Sequence, residues 1–434
     1  MSKEIYIALT SYSEPQDDII QKIIKRPEIN ATDLSVIIDD IYKNVKEAGD
    51  EALIAFTKKF DNVALTNISV SEQELENASG FVSQQLKNAI DTAYANIKIF
   101  HEAQRLVKQV ISTTDGVECW QESRAIDRVG LYIPGGSAPL FSTVLMLGVP
   151  AQVAGCDEVV LCTPPSKDGT VHPAILYAAS LCGISKIIKV GGAQSIAGLV
   201  LGTETIPSVY KVFGPGNQYV TAAKMQGLQY GVAIDLPAGP SEVLVYADAS
   251  SNPAFVASDL LSQAEHGRDS QVVIVASHES IVKAVETELQ IQLELLPRKE
   301  IARLALQSAF ACIIEDVDKA YQFINAYAPE HFIIASDSAE KHLSKIRNAG
   351  SVFIGHWTPE SAGDYASGTN HTLPTGAFAR AYSGVSLDSF VKKITFQKID
   401  KVGLNNLGPT IVTMAENEEL EGHANAVKLR MEAL

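Results

Sequence analysis

Apolar residues recur every three or four positions through about the first hundred residues of the chain, which is the spacing of one face of an α-helix. The clearest examples are Leu34, Ile37, Ile38 and Ile41, followed by Leu86, Ile90, Ala93 and Ile97. Few segments of this region show the alternating pattern of a strand. We therefore predict a helical N-terminal region over residues 1–108.

From residue 128 the pattern changes to short apolar runs that end in glycine or proline and precede helical segments. The runs occupy 129–133, 159–162, 187–190 and 211–213, and then 243–246, 272–276, 311–314, 332–335 and 351–354. Continuous apolar strands separated by helices indicate parallel sheets that are covered on both faces. We predict an α/β fold with two consecutive doubly wound, Rossmann-like but incomplete parallel-sheet domains, over 109–235 and 236–375.

The pattern becomes irregular after residue 355, where a long polar loop replaces the alternation of strands and helices. The sequence LNNLGP at 404–409 predicts a break in the chain, because it combines turn-forming residues with proline. A last helix is predicted over 416–434. Residues 376–434 are therefore expected to form a small helical C-terminal tail.

Three glycine-rich loops follow predicted strands of the first domain, at 134–137, 191–194 and 214–217. Any one of them is more often plain turn chemistry than a cofactor site. Because ligands of doubly wound sheets bind at the carboxyl ends of the strands, three such loops at one edge favour a binding crevice. None completes the dinucleotide fingerprint, since Tyr219 stands where a third glycine would follow Gly214 and Gly216.

The amino-acid composition indicates which kinds of molecule the protein can bind. The chain has 434 residues, 46% of them hydrophobic, and a net charge of -16 with a pI near 5.0. Such a charge disfavours nucleic acid and anionic membranes, so small molecules are the expected partners. Five cysteines without C-x-x-C spacing indicate reduced thiols rather than disulfides or a thiolate zinc site. With no signal peptide and no apolar run of about 18 residues, a cytoplasmic protein is expected.

The segment 234–242, IDLPAGPSE, predicts a glycine- and proline-rich turn that leads into a buried strand and then a helix from about residue 253. Gln263 and His266 end that helix and stand three residues apart. The spacing puts an amide oxygen and an imidazole on one helical face, where both can bind one ion or ligand. An equally supported alternative is that His266 is simply a C-terminal histidine favoured by the helix dipole.

Two further segments contain candidate chemistry. Glu330 and His331 come just before a predicted strand, where they can serve one cavity as a water activator and a base, although a solvated pair is favoured on local grounds. The loop 358–371 lacks periodicity, and such loops in compact domains are usually functional. It offers Asp364 as an oxygen donor and His371 as a nitrogen donor.

Residues 416–423 are more simply explained as the solvated start of a helix. Catalytic zinc usually has three protein ligands and one exchangeable position. His266, Asp364 and His423 would suffice for such a site. The residues alone would not single out Gln263, because a neutral amide is an uncommon zinc ligand.

Between residues 130 and 430 the chain resembles the histidinol dehydrogenase family. The resemblance rests on the blocks GLYIPGGSAPLFSTVLM, GGAQSIA, FGPGN, IDLPAGPSE, SQAEHG, PEH, SAGDYASGTNHTLPT and HANAVKLR, all in order. It implies a zinc enzyme that oxidises L-histidinol to L-histidine with two NAD, through an aldehyde kept on the enzyme. These are the last two steps of histidine biosynthesis.

The resemblance also implies roles for individual residues. One zinc ion per subunit is implied, with the ligands Gln263, His266, Asp364 and His423. His331 is implied as the base and acid for hydride transfer, and Glu330 as the activator of water. The implied NAD contacts are Tyr132, Gln194 and Asn217. The implied substrate contacts are Ser241, Gln263, His266, His331, Asp364, His371, Glu418 and His423, with Glu416, Glu419 and Glu421 as alternatives to Glu418.

The resemblance further implies a homodimer in which the tail, 376–434, packs on the partner subunit and reaches its active site. Two other classes deserve comparison. A zinc amidohydrolase could use a similar set of ligands, but it would not need glycine-rich loops after three strands, and the chain has no H-E-x-x-H. A bilobal solute-binding protein would explain two α/β domains, but it would normally carry a signal peptide.

Overall fold

The computed structural model describes residues 7–26, 31–135, 138–237 and 239–434. Residues 136 and 137 of the first glycine-rich loop and residue 238 of the segment 234–242 lie outside the described residues. The described helices are α1 (Asp17–Ile23), α2 (Ala31–Asp61), α3 (Glu72–Ala78), α4 (Gln84–Glu102), α5 (Phe141–Ala154), α6 (Pro173–Leu181), α7 (Gly192–Leu201), α8 (Gln218–Gly227), α9 (Pro253–Ala264), α10 (Glu279–Leu293), α11 (Lys299–Leu306), α12 (Val317–Tyr327), α13 (Glu360–Tyr365), α14 (Lys401–Asn417) and α15 (Glu421–Glu432).

The described strands form three sheets. Their bounds are β1 (Thr10–Ser13), β2 (Ile111–Thr114), β3 (Val117–Ala125), β4 (Arg128–Tyr132), β5 (Glu158–Cys162), β6 (Lys186–Ile188), β7 (Lys211–Phe213), β8 (Ala233–Ile234), β9 (Glu242–Ala247), β10 (Gln271–Ala276), β11 (Phe310–Ile313), β12 (His331–Ala335), β13 (Ser351–Ile354) and β14 (Val391–Ile399).

The first and second sheets are parallel and share one strand order. The first runs β6-β5-β4-β7-β8, and the second runs β1-β11-β10-β9-β12-β13. If β1 is set aside, the strands of the two sheets follow the same order along the chain. The first strand in the chain is the central strand of the sheet, the next two lie on one side of it, and the last two lie on the other side. This arrangement confirms the predicted α/β fold with two doubly wound units.

Both faces of each parallel sheet are covered by helices, as the continuous apolar strands predict. Leu131 packs with α4, α5 and α6, whereas its neighbour Tyr132 packs on the opposite face with α2, α7 and α8. In the second sheet, Val243 packs with α9, α10 and α11, and Leu244 packs with α12. Successive side chains of a strand point to opposite faces, so each strand needs apolar residues throughout.

Several described strands lie outside the apolar runs that the sequence predicts. The N-terminal region also supplies a strand, β1, which pairs in parallel with β11 at the edge of the second sheet. Residues 111–125 form the hairpin β2–β3, and β14 joins it in an antiparallel sheet with the order β14-β3-β2. These strands are largely solvated, so they lack the apolar runs that reveal the other strands.

The predicted break at 404–409 is wrong, because α14 continues through it with Pro409 inside the helix. Two glycines of this segment serve close packing instead of a turn. A Cβ on Gly403 would lie 2.2 Å from the carbonyl oxygen of Gly116, and one on Gly408 would lie 2.6 Å from Sδ of Met431 in α15. Tertiary contacts therefore override the local turn signal. Within the described ranges, no helix combines the length and the apolar character needed to cross a bilayer.

Candidate functional site

A cavity of about 950 Å³ lies between the two parallel sheets. The first sheet lines it with residues that follow strands, such as Pro134 after β4 and Asn217 after β7. The second sheet lines it with residues that precede strands, such as Ser241 before β9, His266 before β10 and Glu330 before β12. The cavity therefore lies at the carboxyl edge of the first sheet and at the amino edge of the second.

Glu330 and His331 are buried at the start of β12 and are both held by the backbone of Glu242. The N–H of Glu242 donates to Oε2 of Glu330 at 2.7 Å. Nδ1 of His331 lies 3.0 Å from the carbonyl oxygen of Glu242. Because a carbonyl oxygen can only accept, Nδ1 must carry the proton. The other ring nitrogen, Nε2, forms no hydrogen bond with a described residue, so it is the nitrogen that can act as a base.

Nitrogen and oxygen donors converge beside this pair. One ligand atom each from His266, Glu360 and Asp364 lies within 4.8 Å of the other two, which is close enough for a single ion. Gln263 is fully buried in the last turn of α9, and neither its amide oxygen nor its amide nitrogen has a hydrogen-bond partner among the described residues. An unpartnered buried amide is costly, so Gln263 has the character of a side chain kept for a ligand.

Glu360 is a member of this group that sequence reasoning missed. The segment around it is predicted as an irregular loop, whereas Glu360–Tyr365 forms the short helix α13. Glu360 and Asp364 are four residues apart, so one turn of α13 puts both carboxylates on the same face. That spacing is the signal that would have revealed Glu360. It is fully buried, with Oε1 at 3.7 Å from Nδ1 of His331.

The group is rich in carboxylates that share one imidazole. Burial raises the pKa of Glu330 to about 8, and it raises the pKa of Glu360 to about 8. Burial opposes protonation of His331, but the carboxylates of Glu360, Glu330 and Asp364 together hold its pKa well above the usual value. Asp364 has a lowered pKa, because its proximity to His331 outweighs the effect of burial. Burial lowers the pKa of His266, which favours the neutral imidazole that binds metals.

His371 joins the two domains at the cavity wall. Its Nδ1 lies 2.9 Å from the carbonyl oxygen of Asp364 and must donate to it. Its Nε2 then accepts from the hydroxyl of Thr143 in α5, at 3.2 Å. Burial lowers its pKa, which agrees with a neutral ring. In this arrangement His371 holds the backbone of α13 and also lines the cavity.

The three residues expected to bind NAD lie on the loops of the first sheet. Tyr132 is buried at the end of β4, where its hydroxyl accepts from the N–H of Gly192 at 3.3 Å, and Gln194 is buried in the first turn of α7. Asn217 is the N-cap of α8, where its side chain accepts from two backbone N–H groups, and it is exposed to the cavity. The N-cap residue of α7, Gly191, has no side chain to cap the helix, and the N–H of Gly192 in the first turn is paired with Tyr132.

Glu418 and His423 lie apart from this site in the single chain. Both are exposed, neither lines the cavity, and neither belongs to the donor group around Asp364. Glu418 ends α14, and His423 lies near the start of α15, which packs against α14.

All five cysteines are free. Cys162, Cys182 and Cys312 are buried, and Cys119 and Cys156 are half-buried. Burial raises the pKa of Cys156, Cys182 and Cys312 to about 12 each, so these thiols are poor nucleophiles at neutral pH. The geometry thus favours chemistry by nitrogen and oxygen groups over nucleophilic attack by a cysteine thiol.

Comparisons with known proteins agree with one another. The family model of histidinol dehydrogenase matches residues 24–431. A histidinol dehydrogenase from Bacteroides thetaiotaomicron is 53% identical over 420 residues, covering 97% of this chain and 98% of the relative. A chloroplastic histidinol dehydrogenase from Arabidopsis thaliana is 50% identical over 422 residues, covering 96% and 90%. The crystal structure of histidinol dehydrogenase from Elizabethkingia anophelis superposes with a TM-score of 0.96 at 53% identity, covering 98% of each chain.

The unpartnered amide of Gln263 leads to a prediction. Gln263→Met should stabilise the metal-free protein by about 1–3 kcal/mol, because methionine fills a similar volume without buried polar atoms. Urea unfolding of chelator-treated protein measures the change, and added zinc should then stabilise the variant less than the wild type. Gln104→Met is the matched control and should destabilise the protein, since Oε1 of Gln104 accepts from the N–H of Leu387 at 2.8 Å. Equal destabilisation by both substitutions would contradict this interpretation of Gln263.

Proposed function

This chain belongs to the histidinol dehydrogenase family, and we propose that it oxidises L-histidinol to L-histidine through L-histidinal, transferring two hydrides to two NAD molecules, with one zinc ion per subunit. The observation that carries the proposal is the pair Glu330 and His331, which is buried beside nitrogen and oxygen donors, with Glu330 lining a cavity between the two sheets. We assign 109–235 to NAD and 236–375 to metal and substrate, in a cytoplasmic enzyme of histidine biosynthesis.

The donors fit zinc, which accepts nitrogen and oxygen ligands. Gln263, His266 and Asp364 would hold it from one subunit, with His423 supplied by the tail of the partner. The support is the unpartnered amide of Gln263 and the closeness of His266 to Asp364. When bound, the ion would chiefly orient the substrate through its imidazole and amino nitrogens.

NAD would accept the hydride in each oxidation, and Tyr132, Gln194 and Asn217 would hold it at the carboxyl edge of the first sheet. The support is their position at the carboxyl edge of this sheet: Tyr132 ends β4, Gln194 lies in the first turn of α7 after β6, and Asn217 follows β7 and lines the cavity, which Tyr132 and Gln194 do not. The cavity is also large enough for a dinucleotide next to a small substrate. The N-terminus of α7 adds the positive end of a helix dipole, which favours an anionic group.

In the first oxidation, the alcohol loses a hydride from carbon and a proton from oxygen. His331 is suited to accept the proton at Nε2, since the carbonyl oxygen of Glu242 keeps the other nitrogen protonated. General-base help of this kind is worth about 10²–10⁴-fold in rate. Ser241 and His371 line the cavity around the substrate.

In the second oxidation, the aldehyde must first add water. The carboxylate of Glu330 accepts a proton from the attacking water, and its raised pKa makes it a stronger base than an ordinary glutamate. His331 returns the proton from the first oxidation to the carbonyl oxygen, which completes the hydrate. The hydrate then loses a hydride to the second NAD, and the neutral His331 takes its hydroxyl proton. His331 therefore acts in both oxidations, whereas Glu330 acts in the second.

The enzyme is proposed to be a homodimer in which Glu418 and His423 reach the partner's substrate and metal. Both residues are exposed in the single chain, on a tail whose apolar residues are also exposed. The exposed apolar residues of the tail include Ile394, Ile399, Val402, Met414, Leu420 and Leu429. Burying them on a second copy would remove this apolar surface from water.

Formation of NADH on mixing the enzyme with L-histidinol and NAD tests the proposed function. We expect two NADH per histidinol, complete loss of activity with a chelator, and recovery with zinc. A zinc-loaded enzyme that forms no NADH would contradict the function. Full activity in protein verified to be free of metal would remove zinc from the mechanism.

The different roles proposed for Glu330 and His331 lead to a second prediction. Glu330→Gln should slow oxidation of the aldehyde by about 10²-fold or more while leaving the first hydride transfer much less affected. His331→Asn should slow both steps. Single-turnover measurements with histidinol and with histidinal separate the two steps. Equal losses in both steps for Glu330→Gln, with fold and zinc content intact, would argue against this assignment.

Mixing two inactive variants tests the shared site. If the tail crosses over, a heterodimer of His266→Ala and His423→Ala has one site with both lesions and one with neither. Activity should then recover to about half of the wild-type value per heterodimer. No recovery, once mass spectrometry has shown that heterodimers form, would mean that the tail serves its own subunit.

A further inference from the structure

The backbone of Glu242 is the shared support of the two proposed catalytic residues. Its N–H donates to the carboxylate of Glu330 at 2.7 Å, and its carbonyl oxygen accepts from Nδ1 of His331 at 3.0 Å. Glu242 begins β9, the strand next to β12, which begins with His331. Displacement of this one residue would thus move a base and a water activator together.

The side chain of Glu242 is held by an ion pair with Arg26. Its carboxylate is fully buried and accepts from Nε and Nη2 of Arg26, each at 2.8 Å, in a bidentate pair. Oε1 of Glu242 also accepts from the N–H of Gly376 at 2.9 Å. A buried carboxylate without its cation would move toward water or take up a proton, so the position of Glu242 depends on Arg26.

Arg26 is itself held in place on every side. Its Nη1 donates to the carbonyl oxygen of Ile24 at 2.6 Å, and its Nη2 also donates to the carbonyl oxygen of Tyr327 at 2.9 Å. The guanidinium carbon lies 3.5 Å from the centre of the Tyr327 ring. Only the planar, forked guanidinium can form the bidentate pair and the stacking contact at once. Arg26 also lines the cavity, so its position can be reached from solvent.

The geometry points to Arg26 and Glu242 as positioning residues for the reaction: their ion pair fixes the backbone that orients the carboxylate of Glu330 and the imidazole of His331. The inference rests on the proposed function for the roles of those two residues. Arg26, which follows α1 and is far from the site in sequence, would thus affect catalysis through Glu242.

Chemical rescue of Arg26→Ala tests the inference. We expect kcat for both oxidations to fall about 10- to 100-fold, since a misplacement of about 1 Å costs on the order of 10²-fold. The KM for histidinol should stay within about twofold, because substrate contacts are retained. Guanidinium chloride, far below denaturing concentrations, should restore much of the lost kcat, whereas urea, which has a similar shape without the charge, should not.

Two further variants keep the test specific. Arg128→Ala is the control: it removes the arginine of a separate Arg–Glu pair, with Glu158 in the first sheet. It should leave kcat unchanged with or without guanidinium. Glu242→Gln keeps an acceptor for the N–H of Gly376 but loses the charge. Its kcat should fall without rescue, because Arg26 still fills the space that guanidinium would need. This variant also serves if Arg26→Ala fails to fold.

Wild-type kcat in folded Arg26→Ala, or a loss that guanidinium cannot restore, would overturn the inference. A crystal structure of Arg26→Ala separates the inference from the proposed function. In that structure, the contacts from the Glu242 backbone to Glu330 and His331 should be longer or broken. This expectation does not depend on the identity of the substrate. Unchanged contacts would reject positioning by Arg26 even in an active enzyme. Broken contacts in a protein that does not oxidise histidinol would reject the proposed function alone.

Discussion

The short link between the two parallel sheets constrains the rest of the structure. β8 ends at Ile234 and β9 begins at Glu242, and the residues between them can span about 25 Å at most when fully extended. The link therefore joins the carboxyl edge of the first sheet to the amino edge of the second. Asp235, at its start, is buried, pairs with Lys224 and accepts from the N–H of Gly214 at 2.8 Å. The link is thus tied to a glycine-rich loop at one end and, through the backbone of Glu242, to Glu330 and His331 at the other.

Several carboxyl groups lie close to the imidazole of His331. Glu330, Glu360 and Asp364 lie 3.6, 3.7 and 3.5 Å from nitrogens of His331, and Asp259 lies behind Glu360 with a pKa that burial raises to about 7. Burying several carboxylates is unfavourable unless cations compensate them. His331 supplies one positive charge when it is protonated. A bound cation at Asp364 would compensate a second carboxylate and so free the imidazole to work as a base.

The chain's apolar pattern predicts the two parallel sheets because their strands are buried on both faces and must be apolar throughout. The same reasoning misses β2, β3 and β14, whose residues are mostly solvated. The carboxyl-edge rule leads only to the loops of the first sheet. Ser241, His266 and Glu330 lie at the amino edge of the second sheet, and the apolar pattern does not show that this edge meets the first sheet, because the link decides that. Glu360 is missed because the short helix α13 is predicted as an irregular loop, which hides its spacing from Asp364. Arg26 is missed because its partner, Glu242, lies far away in the sequence.

The tail is constrained by packing rather than by the turn that its sequence predicts. Gly403 packs on Gly116 of the β2–β3 hairpin, and Gly408 lets α15 approach α14 closely at Met431. A side chain at either glycine would separate these elements, so the tail is held firmly on the antiparallel sheet. In the single chain His423 is exposed and lies outside the donor group of His266, Glu360 and Asp364. If His423 is a metal ligand, as the family resemblance implies, it would serve another subunit, and the packing glycines of the tail would then help to place it in a shared active site.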